Sequence, residues 1–422
     1  MELTVVVIAT ALLTGIAIAI GLNFVTAERQ LRRPPPRWYD TRDPDFRQAT
    51  GVLLGPSILS GNQVDVLVNG DEIFPAMLSA IRSAEQTITF ETFIYWGEIA
   101  ADFSAELVAA ARRGVRVHML LDWIGIRRMD DALLECLRES GVQLQIYHPL
   151  SWYHIARLNN RTHRKLLVID GRLGFTGGVG IAPPWTGNAH DKDHWRDTHF
   201  RVRGPVVAQM QAVFLDNWIK AKGEVLHGDA YFPRLDTAGD MDAQMFGSSP
   251  SGGSDSMHLL VMLAITAARK RIDIQNSYFV PDQLTLRALL EARERGVRIR
   301  LMVPGPHIDV SAVRYASHAS WNQLLQAGVE IFEYLPTMLH CKTMIVDDCW
   351  VSVGSANFDT RSFRLNDEAN LNVFSEPLAA RLTALFEADL AHTRRFVLRR
   401  WRRRGTVLRA REWVTSHFRS QL

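Results

Sequence analysis

The chain has 422 residues, 47% of them hydrophobic, enough to bury one large core or two medium ones. Its net charge of +3 is mild and unevenly spread along the chain. Three cysteines, Cys136, Cys341 and Cys349, exclude a disulfide framework and supply no zinc-ligand spacing.

Leu3 to Ala27 carries no charge and is long enough to cross a bilayer as a helix. Val25-Thr26-Ala27 loosely fits a signal-peptide cleavage site, but no positive residue precedes the apolar run. Arg29, Arg32, Arg33 and Arg37 follow it. Residues 1–27 are therefore expected to be an uncleaved single-pass anchor in the cell (inner) membrane, with the body on the cytoplasmic side. Residues 28–49, with Pro34-Pro35-Pro36, are expected to be a stiff basic spacer.

The body is a long-period duplication. The segment 84–96 (AEQTITFETFIYW) parallels 268–280 (ARKRIDIQNSYFV), 111–122 parallels 292–303, and 141–149 parallels 328–336. Each half, 50–222 and 257–395, reads as strand, helix, strand, helix, strand and then a hairpin. Such alternation predicts an α/β fold with a mostly parallel sheet flanked by helices. Residues 150–162 have no counterpart in the second half and are expected to form a loop carrying Trp152, Tyr153, Ile155 and Arg157 at the mouth of a site. Residues 223–256 are rich in Gly, Ser and Asp and are expected to link the halves.

The hairpins carry the chemistry. H-x-K-x4-D-x6-G occurs as His163, Lys165, Asp170 and Gly177, and again as His340, Lys342, Asp347 and Gly354. The run after each lysine is apolar and branched, so it reads as a buried strand with His and Lys on one face. Cys341 then faces away as a small core residue. Two such pairs brought together can transfer a phosphoryl group without metal or cofactor: one histidine attacks phosphorus, the other protonates the leaving oxygen, and the lysines hold the phosphate charge. Asp170 and Asp347 complete the candidate catalytic set, although each also falls where a hairpin turn is expected. The run His190, Asp191, Asp193, His194, Asp197 and His199 matches no tight ligand pattern, and no metal is expected there.

The duplicated motif, with GSAN at 354–357, RSFRLNDEANLNVF at 361–374, WRDTHFRVRGPVV at 195–207 and NSYFVPD at 276–282, resembles the phospholipase D superfamily and, more narrowly, bacterial-type cardiolipin synthases. The resemblance covers roughly residues 50 to 395. It implies two similar halves packed face to face around one active site. It further implies that His163 is the nucleophile and His340 the acid and base, with Lys165, Lys342, Asn357 and Ser355 at the phosphate. Asp197 and Glu368 are implied to bond the far nitrogens of the histidines, and are expected to serve His163 and His340 respectively. Gly180 departs from the pattern, standing where the second copy has Asn357. The expected reaction joins two phosphatidylglycerol molecules into cardiolipin; hydrolysis to phosphatidic acid is the alternative, and phosphodiester cleavage of nucleic acid a more distant one. Residues 396–422 interleave arginines with Trp401, Trp413 and aliphatics, as a helix on an anionic membrane surface would. With an anchor on the same chain, a membrane partner is expected rather than nucleic acid.

Overall fold

The computed structural model describes residues 4–7, 10–11, 13–15, 31–149, 160–250, 255–406, 411–413 and 415. The first half contributes β1 Leu59–Val68, β2 Thr87–Thr92, β3 Arg116–Asp122, β4 Gln143–Tyr147, β5 Arg161–Thr162, β6 Leu166–Ile169, β7 Leu173–Gly177 and β8 Thr198–Arg203. The second contributes β9 Met241–Ser248, β10 Arg271–Asn276, β11 Phe279–Val280, β12 Arg298–Pro304, β13 Glu330–Tyr334, β14 Lys342–Val346, β15 Trp350–Gly354, β16 Phe358–Asp359, β17 Asn366–Phe374 and β18 Thr393–Arg395.

The duplication seen in the sequence is a duplication of strand order. The first half runs β4-β3-β2-β6-β7-β8-β1, and the second β13-β12-β10-β14-β15-β17-β9. β2, β3 and β4 are parallel, as are β10, β12 and β13. The hairpin and return strands are antiparallel to them and to one another. Helices cross over between the parallel strands, as expected of an α/β fold. The halves are also stitched edge to edge, because β1 pairs antiparallel with β9.

This join revises the expectation for 223–256. Its Gly- and Ser-bearing stretch contains β9, which lies between β1 and β17 in the middle of the sheet, with Ala243, Met245 and Phe246 buried. The Met241–Ser248 run is short and sits in a polar context, so composition concealed it.

Three large cores hold the layers. Helices Asn69–Arg82, Glu98–Arg112 and Asp131–Glu139 cover the outer face of the first half through Ile73, Phe103, Leu107 and Leu137. Helices Ser256–Ala267, Gln283–Glu294 and Ser311–Gln326 do the same for the second through Met262, Leu289 and Trp321. The third core belongs to both halves. Phe214 and Trp218 of helix Val207–Lys222 and Leu378 and Leu382 of helix Glu376–Leu390 pack with Val168, Val202, Val351 and Leu371. Splitting the halves would expose this core to water, so the fold itself holds the two motifs in register.

The chain ends differ from expectation. Residues 44–49 of the expected spacer, with the first residues of the expected first half, form a helix, Pro44–Leu54, that buries Phe46 and Leu54 in the second half's core. Trp401, expected to face lipid, is buried beside Trp321, Phe396 and His318. Among the described residues no helix is long and apolar enough to cross a membrane; most of the expected anchor and the loop at 150–159 lie outside the described residues.

Candidate active site

Both hairpins turn as the sequence implied. Asp170-Gly171 and Asp347-Asp348 all have positive φ, between 51° and 61°, the requirement of a type I′ turn. Each aspartate also accepts three backbone amides: Glu85, Gln86 and Thr87 bond Asp170, and Arg269, Lys270 and Arg271 bond Asp347. These contacts lie at the starts of β2 and β10, a full strand's length from the histidines. The candidate catalytic set therefore divides: His163, Lys165, His340 and Lys342 come together, whereas Asp170 and Asp347 clamp the far ends of their strands.

His163, Lys165, His340 and Asn357 share a cleft of about 660 Å³. The histidines are placed by backbone bonds across the seam. β5 pairs parallel with β17, and His163 N–H donates to Asp367 O at 2.9 Å. In the mirror arrangement His340 N–H donates to Arg196 O at 2.7 Å.

This crossing overturns the expected partners of the acids. Glu368 bonds His163, with Nδ1 3.0 Å from both carboxylate oxygens, and Asp197 bonds His340, with Nδ1 2.7 Å from Oδ2. Each histidine strand lies beside the return strand of the other half, so the acid within reach belongs to that half. Separation along the sequence carries no record of this.

Both acids stay ionised. Burial opposes it, but the charge and hydrogen bond of His163 hold Glu368 down to about 2, and those of His340 hold Asp197 below its ordinary value. Burial drives the imidazoles the other way, His163 down to about 4 and His340 to about 3, the latter aided by the charge of Lys342. The resting site thus holds neutral imidazoles whose Nδ1–H groups donate to carboxylates, with Nε2 unprotonated and, in His340, 3.0 Å from Lys342 Nζ. Burial also lowers Lys165 to about 7 and Lys342 to about 8. The charge of Lys342 also opposes that of Lys165, a repulsion that a phosphodiester bound between them would relieve.

Each acid receives a second donor, and here the halves differ. Ser355 Oγ donates to Glu368. The matching position in the first half is Gly178, where a Cβ would stand 2.4 Å from an Asp197 oxygen. Trp185 Nε1 donates to Asp197 instead, at 3.0 Å. Trp185 also explains Gly180: a Cβ there would meet Ile94 at 2.9 Å and the Trp185 ring at 3.0 Å. The indole fills the place of the missing asparagine. In the second half Asn357 keeps its side chain in the cleft, with a buried Oδ1 that has no hydrogen-bond partner among the described residues.

The residues between His and Lys face away from the cleft, as strand alternation requires. Arg164 is buried and bonds Val213 O, Ser248 O and Asp216, tying both halves together. Cys341 is fully buried, and desolvation pushes its thiol up to about 12, so it is an inert core residue. His190, Asp191 and His194 bring ligand atoms within 4.8 Å of one another, on the surface and outside the cleft lining.

Sequence reasoning missed Trp185, Trp195, Trp96 and Phe93. Trp185 and Trp195 wall His340 with ring centroids at 5.1 and 5.3 Å, and Phe93 lies edge-on to His163 at 5.4 Å. The unexplained Gly180 was the available signal for Trp185.

Two histidines oriented by buried carboxylates, beside two lysines and a free amide in an aromatic-walled cleft, define a phosphoryl- or phosphatidyl-transfer site on a duplicated α/β fold. The family described as cardiolipin synthase, PLD-like domain, matches residues 77–218 and 261–390, and the chain belongs to it. It is 35% identical to cardiolipin synthase A of Pseudomonas fluorescens over 338 residues, 80% of this chain and 70% of that one. It is 33% identical to the major cardiolipin synthase ClsA of Bacillus subtilis, over 84% of this chain and 74% of the relative. In fold it is similar to the phosphatidylserine synthase of Haemophilus influenzae, with a TM-score of 0.70 at 14% identity, covering 90% of this chain and all of that one.

Proposed function

We propose that this chain is a membrane-associated phosphatidyltransferase that joins two phosphatidylglycerol molecules into cardiolipin and releases glycerol. The observation that carries the reading is the meeting of both motif histidines at one cleft, each oriented by a carboxylate from the opposite half, in a member of the cardiolipin synthase family.

In this reading His163 Nε2 attacks the phosphorus of the first lipid. The bond from phosphorus to the headgroup glycerol breaks, and His340, which must first take up a proton on Nε2, gives that proton to the departing oxygen. The phosphatidyl group is then held on His163. The headgroup hydroxyl of the second lipid loses its proton to His340 and attacks phosphorus, and the N–P bond breaks. Lys165, Lys342 and Asn357 balance the charge on the non-bridging oxygens, and Ser355 acts by holding Glu368. The proton returns to its starting place, so the cycle consumes no co-reactant. Trp96, Ile124, Trp185 and Trp195 line the cleft with apolar surface, which favours a lipid alcohol over water.

Residues 1–27 would anchor the chain with its body at the cytoplasmic face. The tail from 396 would meet anionic lipid through exposed Arg399, Arg400, Arg402 and Arg403, with Trp413 at 66% exposure. Mass spectrometry of lipids made by the purified protein on phosphatidylglycerol vesicles tests the activity. Cardiolipin with an equal amount of glycerol is expected. Phosphatidic acid as the main product would replace transfer with hydrolysis.

A further inference from the structure

The cleft holds more positive charge than one phosphate needs. Besides Lys165, the cations in its lining are Arg127 and Arg128, on the loop that follows β3. This loop leaves the carboxyl end of a parallel strand, where open α/β folds place ligands.

The loop is fixed against the catalytic floor. Gly125 packs so closely on the Phe93 carbonyl that a Cβ would overlap its oxygen, and Tyr95 N–H donates to Gly125 O. At the loop's root, buried Asp122 accepts from Ile124 N and from Thr162 N, the residue before His163. The loop that carries the arginines is thus tied to the nucleophile's strand.

Both guanidiniums are exposed, and each lies near an indole face: Arg128 is 5.1 Å from the Trp96 ring centroid and Arg127 5.9 Å from that of Trp123. Stacking orients a guanidinium and leaves its N–H donors free. Among the described residues neither arginine has a carboxylate within ion-pair distance. Arg161, Arg314 and Arg364, by contrast, are matched with Asp122, Glu333 and Asp282. The acid of the cleft, Asp309, accepts from Tyr278 Oη and disfavours an anion on its own side.

We propose that Arg127 and Arg128 bind the phosphate of the acceptor lipid and thereby select an anionic lipid alcohol for the second half of the reaction. This rests on the phosphatidyl-transfer reading above. The donor's single phosphate is the reacting one, and it occupies Lys165, Lys342 and Asn357. The acceptor brings a second phosphodiester, three carbons from the hydroxyl that attacks, so it enters the same cleft with its own charge to be matched. Water and free glycerol have no such phosphate.

The test compares two acceptors on one enzyme. Full-length wild type and the R127Q/R128Q double variant are given vesicles of phosphatidylglycerol in phosphatidylcholine, with labelled free glycerol in solution. Exchange of label into phosphatidylglycerol uses the same histidines with a neutral acceptor; cardiolipin formation uses the charged one. The ratio of cardiolipin to exchange should fall roughly 10- to 100-fold in the variant, and R127K/R128K should restore most of it. Equal loss of both reactions, as weakened vesicle binding or misfolding would cause, overturns the proposal, as does an unchanged ratio. Wild type that exchanges glycerol but makes no cardiolipin would instead remove the synthase reading on which the proposal rests.

Discussion

The two halves share a strand order but not the side chains that surround their histidines, and their differences compensate. In the second half, Ser355 supports the acid and Asn357 faces the cleft. In the first, Gly178 and Gly180 supply neither, and Trp185 supports Asp197 from a short helical turn at Pro183–Trp185. Behind the motif strand, Arg164 binds Asp216 on the helix beneath the first half. The second half has Cys341 at that position, and Arg196 reaches across from the first half to bind Asp389 on the equivalent helix. The gaps at Gly178 and Gly180 are closed by Trp185 of the same half, and the gap at Cys341 by Arg196 of the other half. The duplicated unit is therefore the fold, and the functional unit is the seam.

The largest break in the comparison is loss of either histidine. H163A and H340A should each lower cardiolipin formation by at least about 10³-fold, because nucleophile and acid act as a unit. Retention of more than a tenth of wild-type turnover by either would show that the halves work separately.

A pH profile of kcat/KM sharpens the account of charge. Burial lowers Lys165 to about 7 and Lys342 to about 8, so their ammonium forms are lost as pH rises through that range. Activity should decline above neutrality, well below the ordinary lysine range. A profile flat to pH 10 would mean that the lysines keep their charge unaided.

The hydrogen bonds peculiar to each half should matter less and equally. W185F removes the donor to Asp197, and S355A the donor to Glu368. Each should lower kcat roughly 3- to 30-fold with the fold intact. A large effect from one and none from the other would deny that they are counterparts.

Smallest in turnover is loss of the hairpin clamp. D170A leaves three backbone amides without their acceptor and should cost about 1–3 kcal/mol of stability in thermal unfolding. Turnover per folded molecule should stay near wild type, and a loss as deep as that of H163A would return Asp170 to the chemistry.

The sequence made the duplication, the hairpins and the cleft lysines legible, since strand period and motif spacing are local. The crossing of Glu368 to His163 was not legible, because it depends on which strands meet at the seam. β9 was hidden by a Gly- and Ser-bearing context, and Trp401 read as a lipid-facing residue because burial in Trp321 and Phe396 depends on tertiary packing. Trp185 left a trace, in that a glycine stood where the other copy had a functional side chain.

The crossed site is tested most directly by NMR of the histidine Nδ1–H protons in selectively ¹⁵N-labelled full-length protein, with H163A and H340A used to assign the two signals. Changing Glu368 to Gln should shift the His163 signal and leave that of His340 in place, and D197N should do the reverse. A shift of His163 by D197N, with none by E368Q, would contradict the crossing and return each acid to the histidine of its own half.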